Sequence, residues 1–158
     1  MEYRNFEVTI NSARDLEDVR KVFKMEVHAR VSIGNHPESE KRTPVGHGGT
    51  NPSWNFTINF IISEAMLTSY TSMLVIKLYC SRILGDRYIG EMNLSMKELY
   101  EYACPFGGSA RVTHPVQKGS VDSQGLLELA YKFGERAVAH NFLMTETIGY
   151  GVPCSDTC

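Results

Sequence analysis

The chain has 158 residues, 42% of them hydrophobic and 22% charged, with a formal net charge of -2. That length suits one domain whose core needs no covalent staples, and the near-neutral balance excludes a global basic field that would gather nucleic acid. No apolar run approaches the ~20 residues of a membrane-spanning helix, and Met1-Glu2-Tyr3-Arg4 opens without an apolar signal segment, so a cytoplasmic protein is expected.

The elements follow in chain order. Phe6, Val8 and Ile10 alternate with Glu7, Thr9 and Asn11, a first strand. A charged loop carries the chain to Lys24, and Met25, Val27, Ala29, Val31 and Ile33 then alternate with polar residues, a second strand. Gly34-Asn35-His36-Pro37 is turn chemistry, and Lys41-Arg42-Thr43 a short polar edge strand. After Gly46-His47-Gly48-Gly49 and Asn51-Pro52, the residues Trp54, Phe56, Ile58, Phe60 and Ile62 form the longest period-two row, expected to face the core with Trp54 as its anchor. Met73 to Tyr79 is dense enough in apolar residues to be a strand buried on both sides or nearly so, and Arg87 to Leu94 enters another. Ser95 is a candidate N-cap for a short helix over Met96–Tyr102, with Glu98 at the capping-box position. Ala110 to Gln117 and Leu126 to Phe133 complete eight strands, which with turns between them predict an antiparallel β-sandwich. The domain is expected to occupy residues 1–135, with 136–158 as a partly ordered tail.

Cys80, Cys104, Cys154 and Cys158 form no Cys-x-x-Cys pair and have no histidine at zinc spacing, so four free thiols are expected. The five histidines are scattered, Gly46-His47-Gly48-Gly49 lacks the lysine and helix of a phosphate loop, and no catalytic constellation emerges. No enzyme is expected.

The ordered motifs resemble the C2 domain. They are Ala13-Arg14-Asp15-Leu16 closing the first strand, Met25-Glu26-Val27-His28-Ala29-Arg30-Val31, Thr50-Asn51-Pro52-Ser53-Trp54-Asn55, and Gly85-Asp86-Arg87-Tyr88-Ile89-Gly90-Glu91. The closing Gly125-Leu126-Leu127-Glu128-Leu129-Ala130-Tyr131-Lys132-Phe133-Gly134-Glu135 is similar to the small plant C2 proteins of the soybean cold-regulated and copine-associated kinds. The resemblance implies the circularly permuted type II strand order and a membrane-docking module, often driven by calcium. Calcium takes six to eight oxygen ligands, largely from carboxylates. The resemblance places Tyr79, Ser81 and Arg87 where three aspartates usually stand, leaves Asp86 offset by one, and puts Arg82 and Arg87 where the ion would sit. Glu26 and Asp18 are the other oxygen candidates. No calcium or other cofactor is therefore expected.

The lipid-binding candidates are His28, Arg30, Lys41 and Arg42, read as sharing one sheet face towards acidic headgroups; the same cations also suit a solvated edge that blocks sheet-to-sheet pairing. Arg14, Arg20, Lys21, Lys24, Arg82 and Arg87 form a competing basic cluster in the end loops, where Val22-Phe23 either inserts as a wedge or packs beneath. The expected function is a non-enzymatic module on anionic phospholipid, peripheral at the inner plasma membrane, largely independent of calcium, in plant stress or defence signalling. The alternatives are an adaptor for a copine-like protein partner and a calcium-dependent phospholipid-binding C2 domain. A monomer is expected.

Overall fold

A computed structural model describes residues 2–34, 36–140 and 143–147. Among the described residues, nine strands and one α-helix succeed one another along the chain. They are β1 (Glu2–Arg14), β2 (Val27–Ile33), β3 (Lys41–Arg42), β4 (Ser53–Ser63), β5 (Met73–Cys80), β6 (Arg87–Ser95), α1 (Met96–Ala103), β7 (Ser109–Lys118), β8 (Val121–His140) and β9 (Leu143–Thr147). All pairings are antiparallel, in the order β3-β2-β5-β6-β7-β8-β1-β4, with β9 against β8. A single pair, Glu91 opposite Gln117, joins β6 to β7. The path therefore divides into two four-stranded halves whose apolar faces close on one core. The eight expected strands are all present and form the expected sandwich, with closing strand β8 beside opening strand β1 as the type II order implies. Strand β8 runs past position 135 to His140, and β9 follows within the stretch read as a tail. Positions 148–158, with Cys154 and Cys158, lie outside the described residues.

The core draws on both halves. Phe6, Val8 and Ile10 of β1 meet Leu127, Leu129, Tyr131 and Phe133 of β8, all buried. The Phe6 and Phe133 rings stand 4.8 Å apart, and Tyr100 of α1 meets Phe133 edge-on at 5.2 Å. Helix α1 starts where the sequence places it, with the Ser95 side chain accepting the Glu98 N–H at 3.3 Å. Strand β5 alternates buried and half-buried residues along its whole length, none of them exposed, so it is nearly buried on both sides as expected. One expectation needs correction. Trp54 is not the core anchor: it is partly buried, with Phe56 exposed, and burial becomes regular only from Ile58. For Trp54 the physical reason is Asn55, whose φ of 47° interrupts the extended run where the β1–β4 register shifts between Ile10 and Ser12; Phe56 stays in register opposite the buried Ile10. Asparagine tolerates that left-handed conformation better than most side chains. The indole instead donates to the Val27 carbonyl at 3.0 Å and lies on Gly46, where an added Cβ would stand 2.6 Å from Trp54 Nε1. The free-thiol expectation holds for the buried Cys80 but not for Cys104, which is disulfide-bonded.

Candidate functional site: the loop rim and the adjoining sheet face

Three loops gather at one end of the sandwich because their flanking strands all run to that end. They span 15–26 between β1 and β2, 43–52 between β3 and β4, and 81–86 between β5 and β6. Backbone hydrogen bonds tie them together: Ser81 N–H to Glu26 O at 2.7 Å, Gly46 N–H to Val27 O at 2.7 Å, and Leu16 N–H to Thr50 O at 3.0 Å. Below the first loop, Leu16, Val19 and Met25 are buried and anchor it. Above them Asp18 Oδ1 accepts the N–H groups of Lys21 and Arg20 at 2.9 and 3.0 Å, so those backbone bonds hold its carboxyl below the ordinary 3.8. This turn lifts Val22 and Phe23 into solvent, 83% and 67% exposed. In the third loop Arg82 Nε donates to Gly85 O at 3.1 Å, and the tight turn exposes Ile83 and Leu84 at 102% and 95%. Four large apolar side chains thus stand on one rim. Lys21, Lys24 and Arg82 stand exposed in the same loops, with Arg87 exposed at the start of β6 and Asp15, Glu17, Asp18, Glu26 and Asp86 also exposed there. Of the two possibilities for Val22-Phe23, packing beneath the loop does not occur.

The sheet beside this rim holds the residues expected to meet lipid, though not as one patch. His28 and Arg30 lie on the outer face of β2, and Arg42 stands opposite Arg30 on β3. Lys41 stands opposite the buried Val31 and so leaves on the other side. Its ammonium donates to the Asn59 carbonyl and lies 5.0 Å from the centre of the Phe60 ring, spanning the gap to β4. Lys41 therefore does not share the face of the other three. A cation the sequence reading missed, Lys77 of β5, does share it, directly opposite Arg30. Its signal was present in the alternation of β5, where Lys77 is the charged residue of an apolar run whose second face is half-buried.

These cations are already engaged. Arg30 donates through Nη2 to Asp86 Oδ2 and through Nε to His28 Nε2 at 3.2 Å, and its Cζ lies 3.8 Å from the centre of the Tyr79 ring. Arg42 pairs with Glu40 at 3.4 Å. His28, only 6% exposed, shares a hydrogen bond with Ser81 Oγ at 2.8 Å through Nδ1 and stacks on Tyr79 at 6.0 Å. Burial lowers its pKa below the ordinary 6.5, with Arg30 and Arg42 adding to the effect against Asp86 and Glu40. Partial burial pushes Asp86 upward, but the bond from Arg30 with the charges of His28 and Arg30 outweighs it, and the carboxyl lies below 3.8.

The same contacts test the rim as a calcium site. Asp86 is bound by a guanidinium, Asp18 holds two backbone amides, Ser81 Oγ is shared with an imidazole, and Tyr79 lies under Arg30. Among the described residues no group of three or more His, Cys, Asp or Glu side chains converges on a metal position. Asp86, Asp18, Ser81 and Tyr79 so engaged do not supply the several free carboxylate oxygens that calcium needs, and Asp15, Glu17 and Glu26, exposed on the first loop, do not converge with them on one position. No helix of the described residues is long and apolar enough to cross a membrane.

A permuted antiparallel sandwich with its exposed loops gathered at one end is the architecture of the C2 domain; residues 4–107 match that family, and the chain belongs to it. It is 35% identical over 142 residues to Protein SRC2 of Glycine max, covering 88% of this chain and 49% of that protein. With the Protein SRC2 homolog of Arabidopsis thaliana it shares 31% over 138 residues, 86% of this chain and 42% of that one. The chain thus spans about half the length, or less, of these curated relatives. Among solved structures, a C2 domain of plant Extended Synaptotagmin 1 superposes with a TM-score of 0.68 at 18% identity, covering 83% of this chain and 94% of that one. The paired C2 domains of Extended-Synaptotagmin 2 give 0.65 at 15% identity, over 82% and 40%. At such identities the likeness is one of fold.

Proposed function

We propose that this C2 domain docks peripherally on anionic phospholipid at the inner face of the plasma membrane, through its loop rim and without calcium. The observation that carries the reading is the pair of apolar tips, Val22-Phe23 and Ile83-Leu84, standing on one rim among Lys21, Lys24, Arg82 and Arg87. Burying such a side chain contributes about 1.5–3 kcal/mol when complete, and each cation near an anionic surface about 1 kcal/mol. Insertion of the tips with the cations at headgroup level therefore suffices for reversible docking with no metal bridge. The sheet face supports this less strongly, because Arg30, Arg42 and Lys41 already have partners within the chain.

Co-sedimentation with phosphatidylcholine vesicles containing phosphatidylserine, run in calcium and in chelator, tests the reading. The chain is expected to pellet equally in both, and F23S combined with I83S is expected to weaken pelleting at least tenfold, roughly the worth of one buried apolar side chain. Pelleting only with calcium would overturn the calcium-free part of the reading. Pelleting in neither condition would transfer the function to a protein-interaction adaptor, for which a copine-like protein is the partner to test.

A further inference from the structure

We propose that Asp86 is a built-in carboxylate lid on the outer sheet face: it occupies Arg30 in the place of a lipid phosphate, and a headgroup that takes Arg30 releases loop 81–86 with its Ile83-Leu84 tip. The inference rests on the membrane reading for its ligand and adds to it a coupling between sheet and rim.

The pairings place Arg42, Arg30 and Lys77 directly across three neighbouring strands. Like charges opposite one another in a sheet are unfavourable by themselves, and the strand spacing of about 4.8 Å keeps these three side by side. At the centre of this row Arg30 is held in a fixed plane, with Tyr79 beneath it and His28 on its Nε. A guanidinium so oriented presents its remaining N–H groups equally well to a carboxylate or a phosphate. Asp86 fills that position from the last residue of the loop, with His28 Nε2 3.7 Å from the same oxygen. Because the ring contact and the His28 bond do not involve Asp86, the fork stays organised when the carboxylate leaves. The loop does not stay as it was: Ser81 Oγ on His28 and Asp86 on Arg30 are the side-chain ties from its two ends to β2, while the Arg82 backbone bonds the Asp86 carboxyl within the loop. Exchanging Asp86 for a phosphate removes one of them beside the tip that enters the membrane. A phosphate fixed in a bilayer gains from both events, whereas free phosphate gains from the first alone, and this commits the site to a lipid headgroup.

The test compares wild type, D86N, R30Q and D86N/R30Q on phosphatidylcholine vesicles containing phosphatidylinositol bisphosphate, with amide hydrogen exchange of loop 81–86 followed in the absence of vesicles. D86N is expected to bind roughly three- to tenfold tighter, the scale of one partly exposed ion pair, and to exchange faster in the loop. In the R30Q background the same substitution is expected to change neither reading. A D86N protein that binds no tighter overturns the lid, and so does a gain that persists without Arg30, which would report only the change in net charge. Inorganic phosphate that alone accelerates loop exchange in wild type overturns the commitment to a lipid source. Wild type that pellets on phosphatidylserine beside a D86N that gains nothing leaves the loop-rim reading standing without the lid, whereas pelleting of neither protein on any vesicle overturns both.

Discussion

The Ser81 amide donates to the Glu26 carbonyl at 2.7 Å, fastening the start of the third loop to the end of the first. The two apolar tips consequently rise from one support, and the cations beside them meet a membrane together. Reversing Arg82 and Arg87 to glutamate is expected to weaken binding to phosphatidylserine vesicles by roughly tenfold or more, since each cation contributes about 1 kcal/mol at an anionic surface. Reversing Lys41 and Arg42 is expected to do less, because one reaches across to Asn59 and the other is held by Glu40. Raising salt should shrink the first effect, as exposed charges are screened beyond about 8 Å at physiological ionic strength. Equal losses from both pairs would return the sheet face to the centre of the docking surface.

Calcium is expected to leave the melting temperature unchanged. A ligand that binds only the folded state stabilises it by mass action; Asp86, Asp18 and Ser81 at the rim are committed to Arg30, to backbone amides and to His28, and among the described residues no three carboxylates converge. Differential scanning fluorimetry with submillimolar calcium against chelator checks this. A rise of several degrees would show that the rim rearranges to expose carboxylates.

Trp54 and Phe133 should rank differently from what their sizes suggest. Phe133 is fully buried between Phe6 and Tyr100, and Phe133→Ala is expected to destabilise by about 3–5 kcal/mol. Trp54 is partly buried, and Trp54→Ala is expected to lose about 2 kcal/mol from its packing on Gly46 and its bond to Val27. Trp54→Phe, which removes the hydrogen bond and keeps most of the ring, should lose about 1 kcal/mol. Urea midpoints of the three variants establish the order, and a Trp54→Ala protein less stable than Phe133→Ala would contradict it.

Stability should fall as pH drops through the range just below 6.5, and His28 should account for part of that fall. Its folded pKa is depressed, chiefly by burial, so its stabilising contribution is complete above 6.5, where the ring is neutral in both states. Below 6.5 the unfolded chain takes up a proton that the folded chain resists, and the contribution is lost as pH falls towards the folded value. Protonation also removes the acceptor that Nε2 offers Arg30. His28→Gln should therefore give a flatter curve of melting temperature between about pH 7 and pH 5 than wild type, the span across which a histidine of ordinary pKa titrates. Identical slopes would refute this role.

The eight strands of the sandwich and the Ser95 cap were legible because each depends on residues two or three positions apart. Alternation at Phe6-Val8-Ile10 or at Ile58-Phe60-Ile62 states which face is buried whatever lies opposite, and the Ser95–Glu98 bond closes within one turn of helix. Even Lys41-Arg42 was read as a strand, but two residues have no period, so which face each takes was decided only by the pairing of Lys41 with Val31. The displacement of Trp54 from the core row came likewise from the register shift against β1, with Asn55 absorbing it. The rim was partly legible: Val22-Phe23 was singled out, while Ile83-Leu84 reads in the sequence like any other apolar pair and gains meaning only from its exposure beside the first loop. Arg30 and Asp86 are 56 positions apart, and nothing local connects them. The family and the strands are written in the sequence alone, because both are properties of short segments. Which cations are free, which face they share and which loops stand together were decided by the tertiary structure, because charge pairing and exposure depend on distances that only the assembled sheet sets.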